Sequence, residues 1–338
     1  MNKVAQMPAR DRADLFMETA ERKVLPEAII EKDFWVCWML KQLFSIEALS
    51  GRLLFKGGTS LSKIFHAINR FSEDIDLAVD YEALGFRGER DPRRQDISKT
   101  KRAGILDEMM AECRRYIAGE FLDVLKARCG EILGARNAWS LHVSEQDPNV
   151  VQFRYPTAIT KNLDYVSPQV VLELGTHAEF VPHDRFTIHS LAAEEFPNVV
   201  IDGGVAVVAL LAKRTFWEKA TILHAEYYRP PEKPIPDRYS RHYYDVAMLA
   251  QGPIRADALA DRDLLTQVVR HKQTFYPSAW ARYHLARPGS FRLAPVENRV
   301  AALERDYRNM TVMIFGGAPK FDWIMEPLKA LEQDINRS

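Results

Sequence analysis

The hydrophobic pattern changes period twice between Leu53 and Asp80, and that stretch organises the chain. Leu53-Leu54-Phe55 is a short apolar run ending at Lys56, the mark of a buried strand. Gly57-Gly58-Thr59-Ser60 follows as a turn, and Leu61, Ile64, Phe65 and Ile68 then fall at helical spacing. After Asn69-Arg70 the period becomes two: Ile75, Leu77 and Val79 share one face, while Asp74, Asp76 and Asp80 share the other.

The same reading applies outside this stretch. Arg10 to Lys23 predicts a helix with Leu15, Phe16 and Ala20 inward, and Pro26 opens a second helix over PEAIIEKDFWVCWMLKQLFS. This second helix is too apolar to lie on the surface and is expected to pack under the sheet. Glu31-Lys32-Asp33 interrupts it, as a solvated turn or as a polar cluster lining a site. Gly104 to Cys129 is helical in pattern. Trp139–Val143 and Val150–Tyr155 alternate around Asp147-Pro148-Asn149, predicting a hairpin, and Gln169–Gly175 is a further strand with Glu173 inside it. Beyond Asp202-Gly203-Gly204 the pattern predicts helices over Val205–Tyr228, Ser240–Ala250, Arg262–Thr274, Val296–Met313 and Phe321–Ile335, with the proline-rich stretch 229–236 as a stiff connector. The fold class is α+β: a domain over 1–202 with a mixed sheet flanked by helices, then a mainly helical domain over 203–338.

Composition adds limits. The 338 residues are 47% hydrophobic and 27% charged, ordinary for a globular chain. With 46 basic and 46 acidic residues the net charge is zero, so only local patches can attract a polyanion. One candidate is 87–102, where Arg87, Arg90, Arg93, Arg94, Lys99, Lys101 and Arg102 face three acids; it is a surface loop or a polyanion contact. Cys37, Cys113 and Cys129 lack metal spacing and are expected as buried thiols. The N-terminus lacks an apolar signal core, and the longest apolar run, Val205–Ala212, is far short of the ~20 residues that span a bilayer. A cytoplasmic protein without membrane association is expected.

The chemistry concentrates in the first stretch. Two aspartates at i and i+2 on a strand place their Cα atoms roughly 6.5–7 Å apart on one face, within reach of a shared cation. A glycine turn ahead of a helix offers backbone N–H groups and room for a phosphate. Each feature alone is common; their order within thirty residues points to metal-dependent chemistry on a nucleotide. The P-loop and Rossmann fingerprints are absent. Glu173 is a possible third acid of a Mg²⁺ site, or an edge-strand glutamate facing water. Arg214 and Glu218, at i and i+4, can pair with each other, and Lys219 can extend from an apolar face. Arg238–Asp245 gathers two arginines, a histidine and three tyrosines, suited to phosphate and base contact or to a helix start capped by Ser240.

Lys56-Gly57-Gly58-Thr59-Ser60-Leu61-Ser62-Lys63 and Arg70-Phe71-Ser72-Glu73-Asp74-Ile75-Asp76-Leu77 closely resemble the core of the AbiEii/AbiGii toxin family, polymerase-β-like nucleotidyltransferases of type IV toxin–antitoxin and abortive-infection (phage defence) systems. The likeness extends to Glu31–Val36, Arg214–Lys219 and Arg238–Asp245. The resemblance implies that Gly57, Gly58, Thr59 and Ser60, helped by Lys56 and Arg214, hold the triphosphate of an NTP. It implies that Asp74 and Asp76 bind Mg²⁺ or Mn²⁺, with Glu173 matching a third-acid position less distinctively. Lys219 is implied near the phosphates and Asp245 as an acid essential to activity, both from the helical domain across a cleft. The Gly58–Asp74 spacer is longer than in the general polymerase-β-like pattern. The implied acceptor is RNA, in particular a tRNA 3′ end, and any antitoxin is a separate protein. A protein or small-molecule acceptor, or a non-catalytic nucleotide-binding module, are the alternatives.

Overall fold

The apolar side of the central strands determines how the first half of the chain folds. In the computed structural model, which describes residues 1–134, 138–160 and 167–337, a seven-stranded sheet is formed by β1 (Leu53–Lys56), β2 (Asp74–Val79), β3 (Ser140–Val143), β4 (Val150–Arg154), β5 (Gln169–Gly175), β6 (His183–Ile188) and β7 (Val205–Leu210). The strand order is β3-β4-β5-β2-β1-β7-β6. β2 runs parallel to β5 and β1 parallel to β7; the other neighbours are antiparallel, so the sheet is mixed and the fold class is α+β. Ile75, Leu77 and Val79 join Phe55, Leu172 and Val207 in one core, on the side covered by α3 (Glu27–Ser45). Trp35 and Trp38 of α3 stack on Tyr155 and Phe153 at 5.5 and 5.6 Å between ring centres. This is the apolar helix expected under the sheet, with Pro26 just before its first turn.

Around α3 lie α1 (Asn2–Gln6), α2 (Ala9–Lys23) and α4 (Glu47–Ser50). Between strands the chain forms α5 (Gly57–Lys63), α6 (Lys99–Tyr116), α7 (Leu122–Leu133) and α8 (Leu191–Glu195). The single helix predicted over Gly104–Cys129 is broken by a wide turn at Ile117–Phe121, where Gly119 leaves helical geometry.

Two compact units divide the chain: Met1–Ile64 with Ser72–Leu210, and Phe65–Phe71 with Leu211–Ser338. The second unit is built from α9 (Ala212–Tyr227), α10 (Ser240–Leu249), α11 (Ile254–Ala260), α12 (Arg262–Phe275), α13 (Glu297–Met310) and α14 (Phe321–Arg337).

Three expectations are corrected. Val205–Leu210 is a strand, not the start of a helix; its run of valines fits a pleated, buried position, and the helix begins only at Ala212. The helix after the glycine pair begins at Gly57 itself and stops at Lys63, because residues 65–71 leave to join the second unit, where Phe71 N–H donates to the Met313 carbonyl at 2.7 Å and Phe315 N–H to the Asn69 carbonyl at 2.8 Å. The proline-rich connector is not straight: it turns where Lys233 N–H donates to the Pro230 carbonyl at 3.0 Å.

Candidate active site

Strand register assembles the first cluster. Lys56 lies opposite Asp76 on β1, and Asp76 lies opposite Glu173 on β5, so the three side chains stand abreast on one face of the sheet. Asp74 is two residues along the same strand and shares that face, away from Ile75 and Leu77. Asp74, Asp76 and Lys56 are half-buried and Glu173 is exposed, so Glu173 bears no burial cost even though β5 is an interior strand.

The glycine turn meets this row directly. Gly57 has φ +80°, and a Cβ placed on it would fall 1.8 Å from the Asp76 Oδ2 and 2.5 Å from its Cγ. Only glycine allows the start of α5 to approach the carboxylate so closely. The Thr59 hydroxyl donates to the Asp74 backbone carbonyl, and the Ser60 hydroxyl to the Gly57 carbonyl at 2.9 Å. Thr59 and Ser60 are buried, so their hydroxyls fix the turn, leaving backbone N–H groups of the first helical turn as the donors toward a ligand.

Negative charge is crowded here. Burial first, then Glu73, Glu173 and Asp76, push the Asp74 carboxyl up to about 7, against the pull of Lys32. Lys32, itself buried, forms an ion pair with Glu73 and donates to the Ser167 carbonyl at 3.2 Å. The Glu31-Lys32-Asp33 triplet is thus not a solvated turn: all three are buried, and Lys32 acts on the Asp74 carboxyl. Glu31 accepts from Ala158 N–H at 2.6 Å and Thr157 at 2.7 Å, and Asp33 pairs with Lys63 of α5 and accepts from Leu191 N–H at 2.7 Å. The three residues fasten α3 to the elements that carry the site.

Hard carboxylate oxygens suit Mg²⁺ or Mn²⁺, and their mutual repulsion is the kind of charge a cation relieves. Among the described residues, no three of His, Cys, Asp and Glu converge as a ready-made metal cage, Glu173 included. The donor set therefore fits a cation that takes one or two protein carboxylates and completes its shell with water and substrate phosphates.

The second unit holds the other predicted residues. Asp245 is fully buried and receives Arg70 through both oxygens, Nε to Oδ1 at 2.7 Å and Nη2 to Oδ2 at 2.9 Å, while the Lys219 Nζ lies 2.9 Å from Oδ2. Burial alone would raise this carboxyl, but Arg70 and then Lys219 hold it far below the usual carboxylate range. Burial, followed by Lys219 and Arg241, keeps the neighbouring His242 well below the histidine range and so neutral. Arg214 is fully buried and donates from Nε to Glu218 at 3.0 Å, the i, i+4 pairing. Tyr243 and Tyr244 are core residues rather than base contacts, and α10 is capped not by Ser240 but by Asp306, which accepts from the N–H groups of Arg238 at 2.6 Å and Ser240 at 2.7 Å.

The basic loop spends much of its charge internally. Arg93 pairs with Glu82 and Asp91, Arg94 with Asp96 and Arg90 with Glu108, while Arg102 donates to the Pro92 and Arg94 carbonyls. Sequence reasoning missed Arg70 as the partner of Asp245 and Glu73 as that of Lys32. A buried acid between Tyr244 and Val246 requires a cation, which was the available signal.

Comparison with known proteins decides the family. The model of the AbiEii nucleotidyl transferase toxin family, type IV toxin–antitoxin system, matches residues 38–327. The chain belongs to this family. No curated protein matches it. Solved structures similar to it include the nucleotidyltransferase toxin MenT4 of Mycobacterium tuberculosis, at 15% identity, 95% of this chain and 97% of the other, TM-score 0.41. JHP933 of Helicobacter pylori is similar at 13% identity over 92% of both chains, TM-score 0.42. A nucleotidyltransferase described from H. pylori is similar at 15% identity over 90% and 98%, TM-score 0.32. As an AbiEii chain the protein is a nucleotidyltransferase, with an NTP as substrate and an antitoxin as the partner its system implies. The AbiEii match spans both the carboxylate row and the Arg70–Asp245–Lys219 triad. Among the described residues no helix is long and apolar enough to cross a membrane.

Proposed function

We propose that this AbiEii chain transfers a nucleoside monophosphate from an NTP to the 3′ end of an RNA, a tRNA end being the first candidate. The observation that carries the reading is the close approach of Gly57 to Asp76, which brings the start of α5 against the strand that carries the paired carboxylates. Asp74 and Asp76 would hold the divalent cation, Mg²⁺ or Mn²⁺, with Glu173, opposite Asp76 on β5, as the further candidate acid. When bound, the cation neutralises the triphosphate and lowers the cost of charge on the attacking and leaving oxygens. Backbone N–H groups of Gly57 and Gly58 orient the phosphates, with Lys56 abreast of Asp76 as the nearest strand cation. In the reaction, the acceptor hydroxyl oxygen bonds the α-phosphorus, the α–β bridging bond breaks, pyrophosphate leaves and the hydroxyl proton passes to solvent. Asp245, held ionised by Arg70 and Lys219, has both oxygens committed, so it serves as the anchor of its triad and fixes Lys219.

The test is incubation of the chain with α-labelled NTPs, Mg²⁺ and total RNA, with Asp74→Ala/Asp76→Ala as control. Label in RNA, lost in the control, is expected. Label appearing instead in protein or a small molecule replaces the acceptor, and tight NTP binding without turnover under any metal overturns the catalytic reading.

A further inference from the structure

The second unit carries a surface on which rings and cations alternate. Tyr227 and Tyr228 stand at the end of α9 with their ring centres 5.0 Å apart. The Arg292 guanidinium lies 5.3 Å from the Tyr227 ring and that of Arg282 5.1 Å from the Tyr228 ring. Next in the chain, Arg229 lies 5.0 Å from the ring of Trp280, which Lys233 approaches to 5.8 Å. The three rings are half-buried and so held in place, whereas Lys233, Arg282 and Arg292 are exposed. Glu226 takes Arg229 and Glu332 takes Arg292 at 3.3 Å. No ion pair joins Lys233 or Arg282 to a carboxylate among the described residues, so the four cations named here outnumber the two carboxylates that take Arg229 and Arg292.

Pinning two loops accounts for little of this. An exposed cation–π contact is worth only ~0.5–1 kcal/mol, and exposed cations without carboxylates add repulsion rather than stability. Fixed rings interleaved with cations match a strand of bases and phosphates: bases stack on aromatic faces or guanidinium planes, and phosphates meet the charges. An acidic peptide would use the cations and leave the rings without a role. We propose that this surface, centred on Trp280, Tyr228 and Arg282, binds single-stranded RNA. The inference rests on the acceptor reading above, since it takes the acceptor to be RNA, and it assigns the contact to residues outside the carboxylate row.

The experiment measures anisotropy of a labelled single-stranded RNA oligonucleotide with the full chain, in EDTA and without NTP, so that binding is read apart from chemistry. Trp280→Ala is expected to weaken binding about tenfold, the loss of one stacked base, while Trp280→Phe keeps most of the affinity. Lys233→Gln and Arg282→Gln each make the slope of log affinity against log salt shallower by about 0.7. Thermal unfolding of each variant confirms that the fold is intact. Unchanged affinity and slope in all variants overturn the proposal, as does equal competition by a polyglutamate peptide, which would make an acidic protein the ligand. NTP label transfer to RNA is run in parallel. Transfer by variants whose binding is unchanged sinks the surface and leaves the acceptor; binding lost in the variants without transfer to RNA in the intact chain does the reverse.

Discussion

At the scale of single residues, Gly57 and Asp76 are one unit. Gly57→Ala adds a methyl where the Asp76 carboxylate already sits, in a backbone conformation that disfavours side chains. It is expected to cost about 1–3 kcal/mol of stability and to abolish detectable transfer. Because the nearest clashing atoms belong to the carboxylate, the stability cost should shrink in an Asp76→Ala background, as denaturant unfolding in a double-mutant cycle will measure; equal costs in both backgrounds would refute the contact. Asp74 gives a pH signature. Its carboxyl titrates at about 7 in the folded chain against an ordinary 3.8, so the folded state keeps a proton that the unfolded state has lost. Stability from this group is full below about 4 and declines as pH rises toward 7. Asp74→Asn should flatten that decline in unfolding curves taken from pH 4 to 8, and an unchanged slope would show that the carboxyl is not shifted. The aspartate pair was legible from its spacing of two. The crowding that perturbs Asp74 was not, because Glu173 reaches Asp76 only through a register set by strands about a hundred residues apart.

Among elements, α3 shows where periodicity succeeds and where it stops. Its apolar content placed it under the sheet, and the tryptophan stacking on β4 and beyond agrees. Glu31, Lys32 and Asp33 read in sequence as either a solvated turn or a polar cluster lining a site; all three are buried, each holding a different partner. Pattern alone cannot reveal this, since a charged residue has the same letter whether water or a salt bridge satisfies it. Lys63→Ala leaves Asp33 buried without its cation and should cost about 3–5 kcal/mol, whereas Lys63→Met with Asp33→Leu should recover most of that loss. Calorimetry of the two variants distinguishes the cases, and equal losses would mean that packing, not charge, dominates. The strand Val205–Leu210 was misread for a related reason: a short apolar run satisfies helix and buried strand alike, and only its pairing with β1 and β6 decides.

For the molecule as a whole, two units are drawn from four stretches of chain, and the smallest of these, Phe65–Phe71, brings Arg70 to Asp245. Asp245→Asn leaves Arg70 and Lys219 buried without a counter-charge and should lower stability by about 3–5 kcal/mol, with a fall in melting temperature. A variant that melts normally yet transfers no nucleotide would instead give Asp245 a chemical role. The acid limb follows the same pair: the folded carboxyl sits below its unfolded value, so its contribution is present above about pH 4 and is lost as pH falls further. The aspartate pair and the glycine turn were readable because they are local; the triad was not, because Arg70 and Asp245 are 175 positions apart.

The excursion of residues 65–71 also explains a feature of motif spacing. A glycine pair and a carboxylate strand that are neighbours in space need only a short link, yet here the intervening segment is borrowed as a building block of another body. Its length is therefore under two constraints at once, and insertions or deletions between Ile64 and Ser72 are expected to be far less tolerated than in the surface loops elsewhere.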